Sequence, residues 1–182
     1  MKELVLLLLN KAIHNLYVYD IRNIIMDVSE PNLCARLAYH LENLMREHDV
    51  TDKSKEFEGY YVDVEFNRME ESDGNFIKKQ VLYDNQFHFV LCDLLIHSRD
   101  AKQCNLLALE MKKEGNLQGV DTDKKRLMAL VKPRDEREPN EYVCDTLLGV
   151  FLVIKKSSCD LEVYEYDNQK KDVAISYISQ NF

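Results

Sequence analysis

The sequence predicts an α/β domain with a central mixed β-sheet flanked by helices. Three observations support this prediction. Apolar residues have helical spacing in the first quarter of the chain, two runs near its middle are apolar on both faces, and helix and then strand patterns follow them. The predicted order is helix, helix, three strands, helix and two strands, which fits one layered domain. With 182 residues and 46% hydrophobic content, we expect a single domain over residues 1–182.

Charge and cysteine content narrow the classes of function. Lysine and arginine total 24 against 32 acids, a net charge of −8, which is the wrong sign for a protein that coats nucleic acid without specificity. A local basic cleft remains compatible with this balance. The five cysteines form an odd number without a C-x-x-C pair. This pattern favours reduced thiols and a cytoplasmic location.

The first predicted helix begins close to the first residue. Its apolar run over residues 4–9 is too short for a bilayer span and lacks a signal-peptide cleavage site, so no membrane association is expected. Apolar residues instead recur at helical spacing: Val5, Leu8, Leu9, Ala12, Ile13 and Leu16. We therefore expect a helix that packs on the core.

A second helix is predicted from residues 29–32 to about His48. A serine cap and an early proline mark its start, and Leu33, Leu37, Leu41 and Leu44 supply its apolar stripe. Glu42 falls at the flank of this stripe, where a carboxylate can face a cleft.

Strand patterns follow a polar loop over residues 49–59. Residues 60–68 alternate between apolar and polar side chains, as in a strand with one solvated face, and residues 70–75 form a turn. Residues 87–97 and 105–112 are apolar on both faces, which is typical of central strands.

The last third of the chain is predicted to add a helix and two strands. Residues 121–123 can cap a helix, and the charged, proline-bearing residues 132–139 then form a loop. Strands are expected at residues 149–154 and 161–166.

Charged residues interrupt the central apolar runs. Asp93 lies in the first run, and Glu110 and Lys112 lie in the second, two positions apart and therefore on one face of a strand. Buried charge is costly unless it is compensated. Two carboxylates with additional oxygen ligands suit Mg²⁺ or Mn²⁺, whereas the absence of a glycine-rich phosphate loop argues against ATP or NAD chemistry.

An acid on one strand, then E-x-K on the next strand, then a helix resembles the PD-(D/E)xK superfamily. The resemblance covers roughly residues 33–154 and implies a restriction-endonuclease-like fold with α-β-β-β-α-β order. It implies a nuclease that hydrolyses phosphodiester bonds, of DNA more than of RNA. Asp93 and Glu110 would bind the metal, Lys112 would be the catalytic lysine, and Glu42 would be the additional acid. Cys92 stands where the family often has proline.

Other interpretations remain open. Asp93 can be a structural cap, and Glu110 with Lys112 can be a same-face ion pair. Four basic residues are candidates for contacts to nucleic acid: Arg68, His97, Lys113 and Lys124. The alternative function is an inactive module of the same fold that binds nucleic acid or protein. By resemblance, a homodimer is a further option.

Overall fold

The structure is a computed structural model that describes residues 1–70, 75–98, 104–116 and 118–182. Its α-helices in these ranges are α1 (Lys2–Tyr19), α2 (Ile21–Ile25), α3 (Glu30–Thr51) and α4 (Val120–Leu130). Its strands there are β1 (Tyr60–Val64), β2 (Arg68–Glu70), β3 (Phe76–Lys78), β4 (Gln80–Tyr83), β5 (Gln86–Phe89), β6 (Leu94–Ser98), β7 (Leu107–Lys113), β8 (Gly149–Ile154), β9 (Ser158–Asp167) and β10 (Asp172–Asn181).

Six strands form the central sheet in the order β1-β6-β7-β8-β9-β10. Neighbouring strands are antiparallel except β7 and β8, which are parallel. The strands β2 and β3, and likewise β4 and β5, pair as two separate antiparallel hairpins inserted between β1 and β6. The predicted α/β class with a mixed sheet flanked by helices is confirmed.

Each central strand buries both of its faces, because helices pack on both sides of the sheet. On β7, Leu107, Leu109 and Met111 belong to the larger core cluster with α1 and α3. Ala108 belongs to a second cluster under α4, together with Leu127. Alternating residues of β7 thus face opposite helical layers.

The two long helices follow the predicted apolar stripes. Every residue predicted to face the core from α1 is buried, from Val5 to Leu16. Helix α3 begins after Ser29 with proline in its first turn and ends at Thr51, three residues beyond the predicted His48. Its stripe is buried except Leu44, which is partly buried. Apolar periodicity therefore located both helices correctly.

The predicted strand over residues 87–97 is wrong. The structure divides it into β5 and β6, which belong to different sheets and are separated by residues 90–93. The predicted strand over residues 60–68 ends at Val64, because Glu65 adopts a φ of 52° that breaks the extended backbone. Most of the predicted turn, residues 71–74, lies outside the described residues.

Later elements agree more closely with the sequence patterns. The bounds of β8 equal the predicted 149–154, and β9 is longer than the predicted 161–166. Helix α4 follows Gly119, whose φ of 76° suits glycine, so residues 121–123 lie within its first turn. The loop over residues 132–139 contains a short 3-10 helix, Arg134–Glu136. Strand β10 was not predicted.

Two further features bear on the predictions from composition. No helix within the described ranges is both long and apolar enough to cross a bilayer. The five cysteines are free, and Cys34, Cys92 and Cys159 among them are buried.

Candidate active site

Asp93 immediately precedes β6, at the point where β7 continues beyond its partner strand. The register pairs Leu94 with Leu109, so Asp93 lies across from Glu110. Its carboxylate Oδ2 accepts a hydrogen bond of 2.7 Å from the Met111 N–H. The carboxylate thereby supplies the hydrogen-bond acceptor that a backbone carbonyl of β6 would provide if the strand continued. This bond fixes one carboxylate oxygen at the edge of β7.

Glu110 lies on the face of β7 that α4 covers and is only 2% exposed. Arg126 of α4 donates a hydrogen bond to its Oε1 and lies 3.3 Å from Oδ1 of Asp123. Burial raises the pKa of Glu110 to about 8; Arg126 opposes this shift, and the carboxylates of Asp93 and Asp123 add to it. Glu110 is thus a buried acid with other acids around it.

Lys112 shares the face of Glu110. Its Nζ lies 3.0 Å from Oδ2 of Asp123 and 4.0 Å from Oε2 of Glu30, at the start of α3. Burial acts to lower the pKa of Lys112, but the hydrogen bond and charge of Asp123, with Glu30 and Asp93, outweigh it and raise the pKa. This lysine is therefore held protonated beside the two predicted ligands.

Asp93 is partly buried within the same charged group. Burial raises the pKa of this carboxyl group, and the charges of Asp123 and Glu30 add to the rise. The Met111 N–H and the Lys112 ammonium act in the opposite direction. The structure thus brings Asp93, Glu110 and Lys112 together, as their order and strand parity predicted.

Three members of this cluster were not predicted as site residues: Glu30, Asp123 and Arg126. Asp123 and Arg126 are three apart on α4, so both face β7. That spacing was a usable signal once α4 was assigned to the sheet face of Glu110. Glu30 was recognised only as part of a helix start, and its proximity to β7 comes from packing.

Glu42 does not join the cluster, contrary to its predicted role as the additional acid. Its Oε2 accepts the Val62 N–H at 2.8 Å, and its Oε1 accepts the Arg46 Nε–H at 2.9 Å. Arg46 in turn donates to the carbonyl oxygens of Phe57 and Tyr60. These contacts fasten α3 to the outer edge of β1, with β6 between that edge and β7. The acid of α3 that approaches Lys112 is Glu30, whose Oε2 lies 4.0 Å from Nζ.

His97 shares strand parity with Asp93 but lies four residues away along β6, about 13 Å at the rise of a strand. Its Nε2 is 2.8 Å from Oδ2 of Asp63, and its ring packs 4.3 Å from that of Phe66. Burial lowers the pKa of His97, although Asp63 opposes the shift. The side chain is a buried partner of β1, and it is separated from the cluster.

The predicted basic contacts are divided among three places. Lys113 points to the α3 side, where its Nζ is 2.8 Å from Oδ1 of Asp27. Lys124 reaches β9, with its Nζ 2.5 Å from Oε1 of Glu162. Arg68 lies on β2 and is exposed. None of these described side chains contacts the carboxylates of Asp93 or Glu110.

The donor set suits a hard divalent cation, although the side chains are paired with one another. No group of three or more histidine, cysteine or acidic side chains in the described residues is arranged as a metal site. Glu110 faces Arg126, and Lys112 faces Asp123. Because burial and neighbouring carboxylates destabilise the charge on Glu110, a cation beside Asp93 and Glu110 would relieve that repulsion. Both residues therefore fit Mg²⁺ or Mn²⁺.

Comparisons of this chain with protein families, curated proteins and solved structures find no match, so this geometry is the basis for a functional proposal.

Proposed function

We propose that the protein is a Mg²⁺- or Mn²⁺-dependent nuclease that hydrolyses phosphodiester bonds, of DNA more than of RNA. One observation carries the proposal: Asp93 lies just before β6 and across from Glu110, and Glu110 shares one face of β7 with Lys112 where β7 extends beyond β6. Carboxylates beside a lysine match the needs of metal-assisted phosphoryl chemistry.

Each residue has a role in this proposal. Asp93 and Glu110 would hold the metal, which would polarise a phosphoryl oxygen and lower the pKa of a bound water. Lys112 stays protonated through Asp123 and donates hydrogen bonds to the phosphate, where negative charge develops. Glu30 replaces Glu42 as the acid that α3 contributes. Met111 and Asp123 keep Asp93 and Lys112 in position.

The order of elements supports a restriction-endonuclease-like core. If the β2–β5 hairpins are treated as an insertion, the chain runs α3, β1, β6, β7, α4 and β8. This is the α-β-β-β-α-β order that the PD-(D/E)xK resemblance implies. Glu110 lies on β7 and Asp93 lies immediately before β6, and these are the two strands on which that resemblance depends.

The test is cleavage of single- and double-stranded DNA and RNA in the presence of Mn²⁺ or Mg²⁺. Lys112→Ala and Asp93→Asn should each reduce the rate by a factor on the order of 100 or more. Lys170→Ala is the control, because Lys170 is an exposed lysine between β9 and β10 that pairs with Asp167, and this variant should retain the rate. Equal cleavage rates of the wild type and Lys112→Ala would contradict the proposal.

A second candidate is an inactive module of the same fold that binds nucleic acid or protein. It is favoured by the internal pairing of Glu110 with Arg126 and of Lys112 with Asp123. Titration calorimetry separates the two candidates. A nuclease should bind Mn²⁺ in an Asp93-dependent manner, whereas an inactive module should bind Mn²⁺ no better than its Asp93→Asn variant.

A further inference from the structure

The hairpin of β4 and β5 presents one apolar face to solvent. Phe87 and Phe89 are 46% and 63% exposed, and Leu91, which follows at the same spacing, is 45% exposed. Gln80 and Leu82 pair directly with Phe89 and Phe87 and therefore share this face. We call Phe87 and Phe89, together with the aliphatic Leu91 that continues their line, the aromatic row. It runs along the chain toward Asp93, two residues beyond Leu91.

The opposite face of the hairpin is packed on the domain. Val81, Val90 and Cys92 are buried in the cluster under α4, and the Tyr83 ring stacks on His88 with centroids 3.8 Å apart. Close to the site, Arg126 lies within 3.4 Å of the Leu91 carbonyl oxygen. The aromatic row is therefore anchored from behind. Its exposure reflects the alternation of side chains along the strand, since the inward positions are occupied.

Two cations lie beside the aromatic row. Arg68 of β2 and Lys78 of β3 are directly opposite each other, and both are exposed. Like charges in this arrangement destabilise a strand pair. The Lys78 ammonium lies 5.1 Å from the centroid of the Phe89 ring. Within the residues that the structure describes, neither cation forms an ion pair.

Two described acids close to the β4–β5 hairpin already have partners. Asp84 at the turn is 2.5 Å from the Lys125 ammonium. The carboxylate of Glu141 accepts the backbone N–H groups of Leu82 and Glu138, each at 2.9 Å. Arg68 and Lys78 form no ion pair with a described residue and lie beside exposed rings, so in a chain of net charge −8 they give this surface a local positive charge that complements a polyanion.

We propose that the aromatic row, with Arg68 and Lys78, binds a single-stranded nucleic acid and leads it to Asp93. Exposed rings stack on the faces of unpaired bases, and the two cations contact the backbone phosphates. Alternate residues of a strand are about 6.7 Å apart, which leaves room for a planar base between neighbouring side chains. A duplex hides these base faces within its own stack. The inference rests on the proposed nuclease function, since it names the substrate of that site.

Binding of a fluorescently labelled oligothymidine, measured by anisotropy in EDTA, tests the aromatic row without any catalysis. A Phe87→Ala/Phe89→Ala double variant should weaken binding at least 10-fold, because it removes the two rings on which bases stack. Phe87→Tyr/Phe89→Tyr, which keeps both rings, should retain binding. Tyr177→Ala is the matched control, since Tyr177 is an aromatic on β10 that is 72% exposed.

The cations have a separate signature. Replacing Lys78 or Arg68 with alanine should lower the slope of log affinity against log salt by about 0.7 for each lost phosphate contact. A duplex of the same sequence should bind more weakly than the single strand, and its affinity should be insensitive to the phenylalanine substitutions. This comparison distinguishes stacking from general attraction of a polyanion.

The outcomes separate this proposal from the nuclease proposal. Wild-type protein that binds no oligonucleotide at low salt would overturn the aromatic row as a nucleic-acid site and leave it a surface for a protein. Affinity unchanged by the double alanine variant would overturn it as well. Binding that depends on Phe87 and Phe89, with no cleavage under any metal, would support the row and contradict the nuclease. Cleavage that depends on Lys112 but not on the phenylalanines would support the nuclease and contradict the aromatic row.

Discussion

The Asp93 carboxylate accepts the Met111 N–H at 2.7 Å, and this bond joins the end of β6 to the continuing edge of β7. It gives Asp93 two functions: one oxygen completes the hydrogen bonding of the backbone, and the carboxylate as a whole faces Lys112 and the acids of the cluster. Substitutions at this position should therefore separate structural from metal-binding effects.

Asp93→Ala should lower the free energy of unfolding by about 1–3 kcal/mol, because it removes the acceptor of a partly buried N–H. Asp93→Asn keeps an acceptor oxygen and should recover most of this loss. Both variants should lose Mn²⁺ affinity, since both remove the negative charge. Urea denaturation and calorimetry measure the two effects. Equal stability of the alanine and asparagine variants would contradict the assigned bond.

Arg126 and Glu110 form a buried ion pair whose two halves should be strongly coupled. Above pH 8, where Glu110 is ionised, removing one partner leaves an uncompensated charge, so Arg126→Leu and Glu110→Leu should each cost about 3–5 kcal/mol there. The double variant should cost much less than the sum, as measured by a double-mutant cycle in urea. Lys125→Ala, which breaks an exposed pair on the same helix, should leave stability unchanged. Additive effects would show that the contact is not formed.

The raised pKa of Glu110 predicts a specific dependence of stability on pH. Between its ordinary pKa of 4.5 and about 8, the native protein holds a proton that the unfolded chain has released. This contribution is complete below pH 4.5 and is lost as pH rises toward 8, with a slope of up to about 1.4 kcal/mol per pH unit. Glu110→Gln should flatten this slope in urea titrations at several pH values. Glu47→Gln, at an exposed position of α3, should not.

Glu30 and Glu42 provide a direct comparison on one helix. Glu30→Gln should reduce Mn²⁺ affinity several-fold, because its carboxylate adds negative charge beside Lys112 and Asp93. Glu42→Gln should leave Mn²⁺ affinity unchanged and lower the thermal midpoint, since Glu42 holds Arg46 and the Val62 N–H. Calorimetry and thermal melts measure both. The reverse pattern would restore Glu42 as the acid of the site.

Apolar periodicity worked where one helix face or both strand faces are buried. The stripe of α1 and the bounds of β8 illustrate this, because continuous burial leaves a regular pattern. It failed at residues 87–97, where an exposed apolar row joins a buried strand and the two look continuous. It also missed β10, an edge strand with many exposed residues. Solvent exposure of apolar side chains is not visible in composition.

The sequence by itself placed Glu110 and Lys112 on one face of a strand, because side-chain alternation follows from backbone geometry. It also placed Asp93 next to the preceding strand in the sheet, although Asp93 lies just before β6 and not within it. Only the tertiary structure decided which helix residues approach them. Glu30 and Glu42 are both acids of α3, and the packing of that helix brings its first turn to Lys112 while tying Glu42 to β1. Likewise, the positions of Asp123 and Arg126 depend on how α4 crosses β7. Such contacts join residues distant in sequence, which local patterns do not encode.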